Sequence, residues 1–232
     1  MMFIVVDESL GLPKNLLTEV HIRPTTLKKG ISLSYALEKG KKSWGFGKLP
    51  LTMTTTDEML EEVYGWSMQD REVLYIYDEH TTPAAWVKRL QNWFYPNQHI
   101  YLVNGSVNRG LALHLLSNRP EIPSLLEGTR TEYVITSSSK YLDGRTYLKM
   151  GKKKPKKYYL IKNRVIESTA STVDELVEDI MRKHSSQNWI ITSNGEFNQK
   201  ELKGEYFQLE EDALPISSHN IYLYPLQQEN IE

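Results

Sequence analysis

Residues 73–94 read VLYIYDEHTTPAAWVKRLQNWF, residues 99–106 read HIYLVNGS, and residues 107–116 read VNRGLALHLL. Val73 to Tyr77 are β-branched or aromatic with Leu74 among them, the composition of a short buried strand. Asp78 and Glu79 end it. Thr82 followed by Pro83 supplies an N-cap and a first-turn proline, and Trp86, Val87, Leu90 and Trp93 or Phe94 recur at helical spacing. Pro96 and Asn97 stop that helix, and Ile100 to Val103 form a second apolar strand closed by Asn104 and Gly105. Strand, crossover helix and strand make a βαβ unit over residues 73–116.

The pattern returns ninety residues later without a gap. Ile76 falls on Ile166, Thr82 on Thr172, Val87 on Val177, Leu90 on Ile180, Ile100 on Ile190, and Asn104-Gly105 on Asn194-Gly195. Internal duplication explains this, and so does the general likeness of any two βαβ units aligned by their turns; both readings give a second unit near 165–195. The expectation is one α/β domain over residues 1–232. It is Rossmann-like and three-layered, with a mostly parallel central sheet and a basic β-hairpin inserted near 141–164.

Composition limits the chemistry. The 232 residues are 40% hydrophobic, enough for a real core, and 28 basic against 29 acidic residues leave a formal charge of -1. Bulk charge therefore favours no polyanionic partner, and any such case is local. The absence of cysteine excludes disulfides, thiolate zinc sites, iron–sulfur clusters and cysteine nucleophiles, and fits a reducing cytoplasm. The N-terminal run MMFIVVDESLG has no basic region and is too short for a signal peptide or a membrane span. A soluble cytoplasmic protein is expected, with no membrane partner.

Along the rest of the chain, Phe3 to Val6 ending in Asp7-Glu8 echoes the strand that ends in Asp78-Glu79. Thr55 and Glu58 form a capping box ahead of a helix from about Asp57 to Trp66. Tyr133 to Thr136 reads as a strand, as do Trp189 to Ile191 and Ile221 to Tyr224. Thr146 to Met150 and Tyr158 to Ile161 flank a lysine-rich tip at Gly151 to Lys157.

In an open parallel sheet, ligands sit beyond the carboxyl ends of the strands. Here those ends carry Asp7, Asp78 with His80, Asn104-Gly105-Ser106, Thr136 and Ser193. If Asp7 and Asp78 converge they can hold Mg²⁺ or Mn²⁺ through oxygen ligands, and a metal-activated water with His80 as acid or base gives a metal-dependent nuclease or phosphodiesterase. The competing reading is that acidic residues after strands favour the following helix dipole and solvate the loop. The six histidines show no metal spacing, and no serine sits in a nucleophile elbow.

The segment Asn104-Gly105-Ser106-Val107-Asn108-Arg109-Gly110 joins a strand to a helix, where backbone amides can cradle a phosphate; Asn104, Gly105, Ser106 and Arg109 are the candidate contacts. It is neither a P-loop nor the dinucleotide glycine fingerprint. Over residues 104–112 it resembles the small-residue turn plus basic residue with which Rossmann-like CRISPR-associated sensor domains hold cyclic oligoadenylates, though the usual glycine pair followed by Thr-Lys is missing. That resemblance implies a nucleotide ligand; a purely structural turn is the alternative.

Lys152, Lys153, Lys154, Lys156 and Lys157 crowd ammonium groups onto one tip, a repulsion that phosphates relieve. Nearby tyrosines offer stacking faces. A lysine-guarded hairpin tip, or a protein partner with an acidic patch, accounts for the same residues. The leading functional expectation is a nucleic-acid-binding protein, for RNA or single-stranded DNA, with a metal-dependent nuclease site. A nucleotide-sensing regulatory domain and a non-catalytic interaction or assembly protein are the alternatives.

Overall fold

The computed structural model describes residues 2–24, 26–27, 31–32, 56–69, 72–79, 82, 84–93, 99–128, 130–137, 158–163, 165–193, 202–208 and 220–226. The fold is α/β, and its described residues divide into two compact units, one running to Ser106 and the other from Val107 onward.

The first unit is built on a wholly parallel sheet. Strands β1 (Phe3–Asp7), β2 (His21–Arg23), β5 (Glu72–Tyr77) and β6 (His99–Asn104) lie in the order β2-β1-β5-β6. Strands β3 (Thr26–Leu27) and β4 (Ile31–Ser32) form a small antiparallel ribbon. Val73 to Ile76 of β5 are completely buried, which explains why that strand reads as a continuous apolar run rather than an alternating one. Helix α1 (Thr56–Gln69) brings Val63 and Trp66, and helix α2 (Ala84–Trp93) brings Trp86 and Leu90, against Val5, Tyr75 and Ile100 of the sheet. The β5–α2–β6 succession is the βαβ unit expected from the quoted stretch, with β5 and β6 as parallel neighbours. The register pairs Val6 with Ile76 and Tyr77 with Asn104, so the ends of β1, β5 and β6 reach one common rim.

A second, mixed sheet builds the other unit. After α3 (Arg109–Ser117) and the short α4 (Ile122–Glu127) come β7 (Tyr133–Thr136), β8 (Tyr158–Lys162), β9 (Val165–Ala170), α5 (Val173–Lys183), β10 (Trp189–Ser193), β11 (Gly204–Gln208) and β12 (Asn220–Pro225). The strand order is β11-β10-β12-β7-β8-β9, and only β10 and β11 are parallel neighbours. The strand–helix–strand succession at 165–195 is present as β9–α5–β10. Its two strands are separated in the sheet by β8, β7 and β12, so it is not a βαβ unit of adjacent strands.

Helix α5 starts as its sequence predicts, with the Thr172 hydroxyl accepting from the Glu175 amide and Glu175 accepting from the Ser171 amide. Its buried Leu176, Val177 and Ile180 join Tyr133, Ile135, Leu160, Ile221 and Leu223 in one cluster. The alternate residues of β12 turn the other way: Tyr224 meets Gly110, and Tyr222 lies under the Arg109 guanidinium, both on α3. Residues of a strand point to opposite faces in alternation, so α5 and α3 cover opposite faces of this sheet. Strand β8 pairs with β7 on one side and β9 on the other. Thr146 to Met150, the expected partner of β8, and the lysine tip lie outside the described residues.

Candidate functional site

Asp7 and Asp78 do come together on the rim of the parallel sheet, but as structural groups. Asp7 is buried, and Oδ1 accepts from the Tyr75 hydroxyl at 2.7 Å and from Arg23 at 3.5 Å. Its Oδ2 accepts from the Asp78 amide at 2.8 Å and the Thr82 hydroxyl at 2.6 Å. The Asp78 Oδ2 accepts from the Ser9 hydroxyl at 2.7 Å. Arg23 in turn donates to Glu62 at 2.8 Å and lies 4.6 Å from the Trp86 ring centre. Burial raises the Asp7 pKa, against the opposing pull of Arg23 and the hydrogen bonds from Asp78, Thr82 and Tyr75. A hard divalent ion needs oxygens that face it, and every Asp7 oxygen here faces a protein donor. Among the described residues no group of three or more His, Asp or Glu side chains is placed to hold a metal. Of the expected Mg²⁺ or Mn²⁺ nuclease site on Asp7 and Asp78, the Asp7 oxygens are thus held by protein donors; His80 lies outside the described residues. Thr82, expected to cap α2, instead directs its hydroxyl to Asp7.

The 104–110 turn is likewise closed on itself. The Gly105 amide donates to the Tyr77 carbonyl, and the Ser106 amide and hydroxyl both donate to Asn104 Oδ1. Asn104 Nδ2 donates to Glu79 at 2.9 Å, and the Glu79 amide donates to Ser106 Oγ. In the second unit, Arg109 is fully buried with its guanidinium 5.4 Å from the Tyr222 ring centre. The amides that a phosphate would need at the start of α3 are also occupied: Gly110 and Leu111 both donate to Glu132 Oε2, at 3.0 and 3.4 Å. A protein carboxyl holds the position that the phosphate expectation reserved for a ligand.

Glu132 is the site residue that the sequence did not disclose. It directly precedes β7, is 4% exposed, and lines a cavity of about 300 Å³ within the second unit. Val107, Val134 and Ile161 give that cavity apolar walls, and Asn108, Thr131 and Asn163 give it neutral polar ones. Val134 and Ile161 pair with each other on β7 and β8, opposite in facing to Ile135 and Leu160, so the cavity lies on the α3 face of the sheet. The Glu132 Oε1 is buried and has no hydrogen-bond partner among the described residues. Burial drives its pKa up to about 8, in spite of the two amides and the nearby Arg109 charge. At neutral pH the group is a carboxylic acid, able to donate.

Thr136 and Ser193, the other strand-end residues expected to face a ligand, are engaged by the protein's own groups. Thr136 donates to Asn220, and the Ser193 hydroxyl pairs with Tyr206 at 2.7 Å. No described helix is long and apolar enough to cross a membrane.

No family model matches the sequence, and no curated protein is detectably similar to it. The fold, by contrast, is similar to that of solved DegV family proteins from end to end. One from Corynebacterium glutamicum aligns with a TM-score of 0.61 at 11% identity, covering 98% of this chain and 97% of that one. A fatty-acid-binding one from Thermus thermophilus aligns at 0.57 and 10% identity, covering 97% and 99%. A fatty-acid-binding one from Streptococcus agalactiae aligns at 0.55 and 13%, covering 98% and 99%. These likenesses overturn the expectation of a nucleic-acid-binding protein, nuclease or nucleotide sensor with RNA, single-stranded DNA or a nucleotide as partner. The closed turn and the Asp7 carboxylate held by protein donors agree with that on the protein side.

Proposed function

We propose that this chain binds a long-chain fatty acid. The observation that carries the proposal is the end-to-end likeness to DegV structures whose bound or named ligand is a fatty acid or lipid, with nearly the whole of each chain aligned. The cavity of the second unit supports it. Its volume is at the small end of ligand pockets, and its mixture of apolar wall and a few convergent polar groups suits a molecule with one polar end. A fatty acid released into water exposes its whole chain, and each buried methylene is worth about 0.8 kcal/mol to a protein that covers it. The reading is of a non-catalytic carrier or presenter of the acid. The lack of cysteine agrees with a cytoplasmic setting for it.

Native mass spectrometry of the protein as purified from cells tests the proposal. The expected spectrum contains a population heavier by the mass of one long-chain fatty acid, lost on collisional activation and identified in an organic extract. A protein that carries no lipid and takes up none when incubated with palmitate or oleate contradicts it.

A further inference from the structure

The carboxyl of Glu132 has two differently treated oxygens. Oε2 is fixed by the Gly110 and Leu111 amides at the start of α3, a helix of nine residues. Oε1 is buried without a hydrogen-bond partner among the described residues, in a side chain that lines the cavity. A buried polar atom left unsatisfied is costly, on the order of 1–3 kcal/mol, and such atoms mark places where a ligand or water completes the bonding. Among the described residues that line the cavity, Glu132 is also the only ionisable one.

We infer that Glu132 receives the carboxylate head of the bound fatty acid, with Oε1 carrying the proton that bridges the two acid groups. The inference rests on the fatty-acid reading and adds to it the residue, the end of the ligand it meets, and the sign of the proton linkage. Two carboxylates at hydrogen-bond distance cannot both ionise, but a carboxylic acid and a carboxylate share one proton in a strong, short bond. The surroundings favour that arrangement. Amides at the helix start sit behind Oε2 and stabilise one net negative charge on the pair. Arg109, on α3, adds its positive charge nearby, and from β12 Tyr224, with Arg130 near it, also interacts with Glu132. Burial keeps Glu132 protonated at neutral pH, so the donor is in place before the ligand arrives. No covalent step is involved; the proton stays between the two oxygens.

The pH dependence of affinity reads this directly. Once the pH exceeds about 8, free protein has lost the Glu132 proton, so binding must take one up and affinity falls about tenfold per further pH unit. Delipidated protein is titrated calorimetrically with palmitate and with hexadecanol at pH 7, 8, 9 and 10. The expected result is flat palmitate affinity from pH 7 to 8, then the tenfold falls, with hexadecanol unaffected because it has no charge to repel. Glu132→Gln keeps an N–H donor in place of the O–H and cannot titrate, so it binds palmitate at pH 7 within about threefold of wild type and shows no fall. Palmitate affinity that is flat to pH 10, an equal fall with hexadecanol, or loss of palmitate binding by a folded Glu132→Gln overturns the inference and leaves the fatty-acid reading standing. No binding of palmitate to wild type at pH 7 overturns both. Should Glu132→Gln fail to fold, the wild-type profiles with the two ligands decide alone.

Discussion

The backbone amide of Gly110 donates to Glu132 Oε2 at 3.0 Å, a bond that joins the first turn of α3 to the residue before β7 across 22 positions of sequence. It ties the first turn of the helix to the residue before the strand and holds in place a buried acid that lines the cavity. It also makes the second unit sensitive to pH in a definite direction.

Folding raises the Glu132 pKa from 4.5 to about 8, so the folded state holds a proton that the unfolded chain has released. The stability this group contributes is therefore complete below pH 4.5, falls as the pH climbs, and is gone above about 8. Glu132→Gln removes the dependence. In urea denaturation of delipidated protein, the variant gains on wild type through that window by at most about 1.4 kcal/mol per pH unit, and the gain levels off at higher pH. A difference independent of pH would show that Glu132 is ionised in the folded protein.

A Cβ on Gly110 would stand 2.5 Å from the Tyr224 Cβ, closer than atoms tolerate. Neither the helix nor the strand has a flexible end there to move aside. Gly110→Ala is expected to cost about 1–3 kcal/mol, against the usual gain of replacing a helical glycine. Equilibrium unfolding measures it.

At Gly204 the constraint is in the backbone as well. Its φ of 150° belongs to a region that side chains avoid, and a Cβ would run into the Trp189 carbonyl on the paired strand β10. Gly204→Ala is expected to weaken the β10–β11 pairing, seen as faster amide hydrogen exchange in Gly204–Gln208 than in β12.

Asp7 stands among donors from Tyr75, Thr82, Asp78 and Arg23. Asp7→Asn places an amide N–H against that ring and removes the charge facing Arg23. The expected loss of stability is about 3–5 kcal/mol, the range for breaking a buried ion pair from one side. The loss is the same with and without Mg²⁺ in a thermal melt. A melting temperature of wild type that rises with millimolar Mg²⁺, and does so no longer in Asp7→Asn, would restore a metal to the rim.

The sequence disclosed most where the interactions are local. The buried run Val73 to Ile76, the helix carrying Trp86 and Leu90, and the strand Ile100 to Val103 lie within about thirty residues, the span of one βαβ unit. The approach of Asp7 to Asp78 entered the sequence reading only as a condition; the parallel pairing of β1 with β5 is what brings their carboxyl ends to one rim. What those carboxylates do was not. Their donors come from the middle of β5, from the edge strand β2 and from a loop, and nothing in residue type separates a hydrogen-bonded buried Asp from a metal ligand. The second sheet was hidden for a related reason. Strands β7 and β12 pair across most of the second unit, and Tyr133 finds its partner Leu223 ninety positions away. Glu132 reads as one more loop acid in TRTEYVIT until the fold brings the Gly110 amide to it. The lysine tip had the loudest composition, yet charge clustering alone does not identify a partner.

Calorimetric titration of the delipidated chain with palmitate at neutral pH tests the central claim most directly. The account predicts saturable binding of one fatty acid per chain, with a negative heat-capacity change from burial of the hydrocarbon tail. A flat titration, with no rise in melting temperature at saturating palmitate, contradicts it.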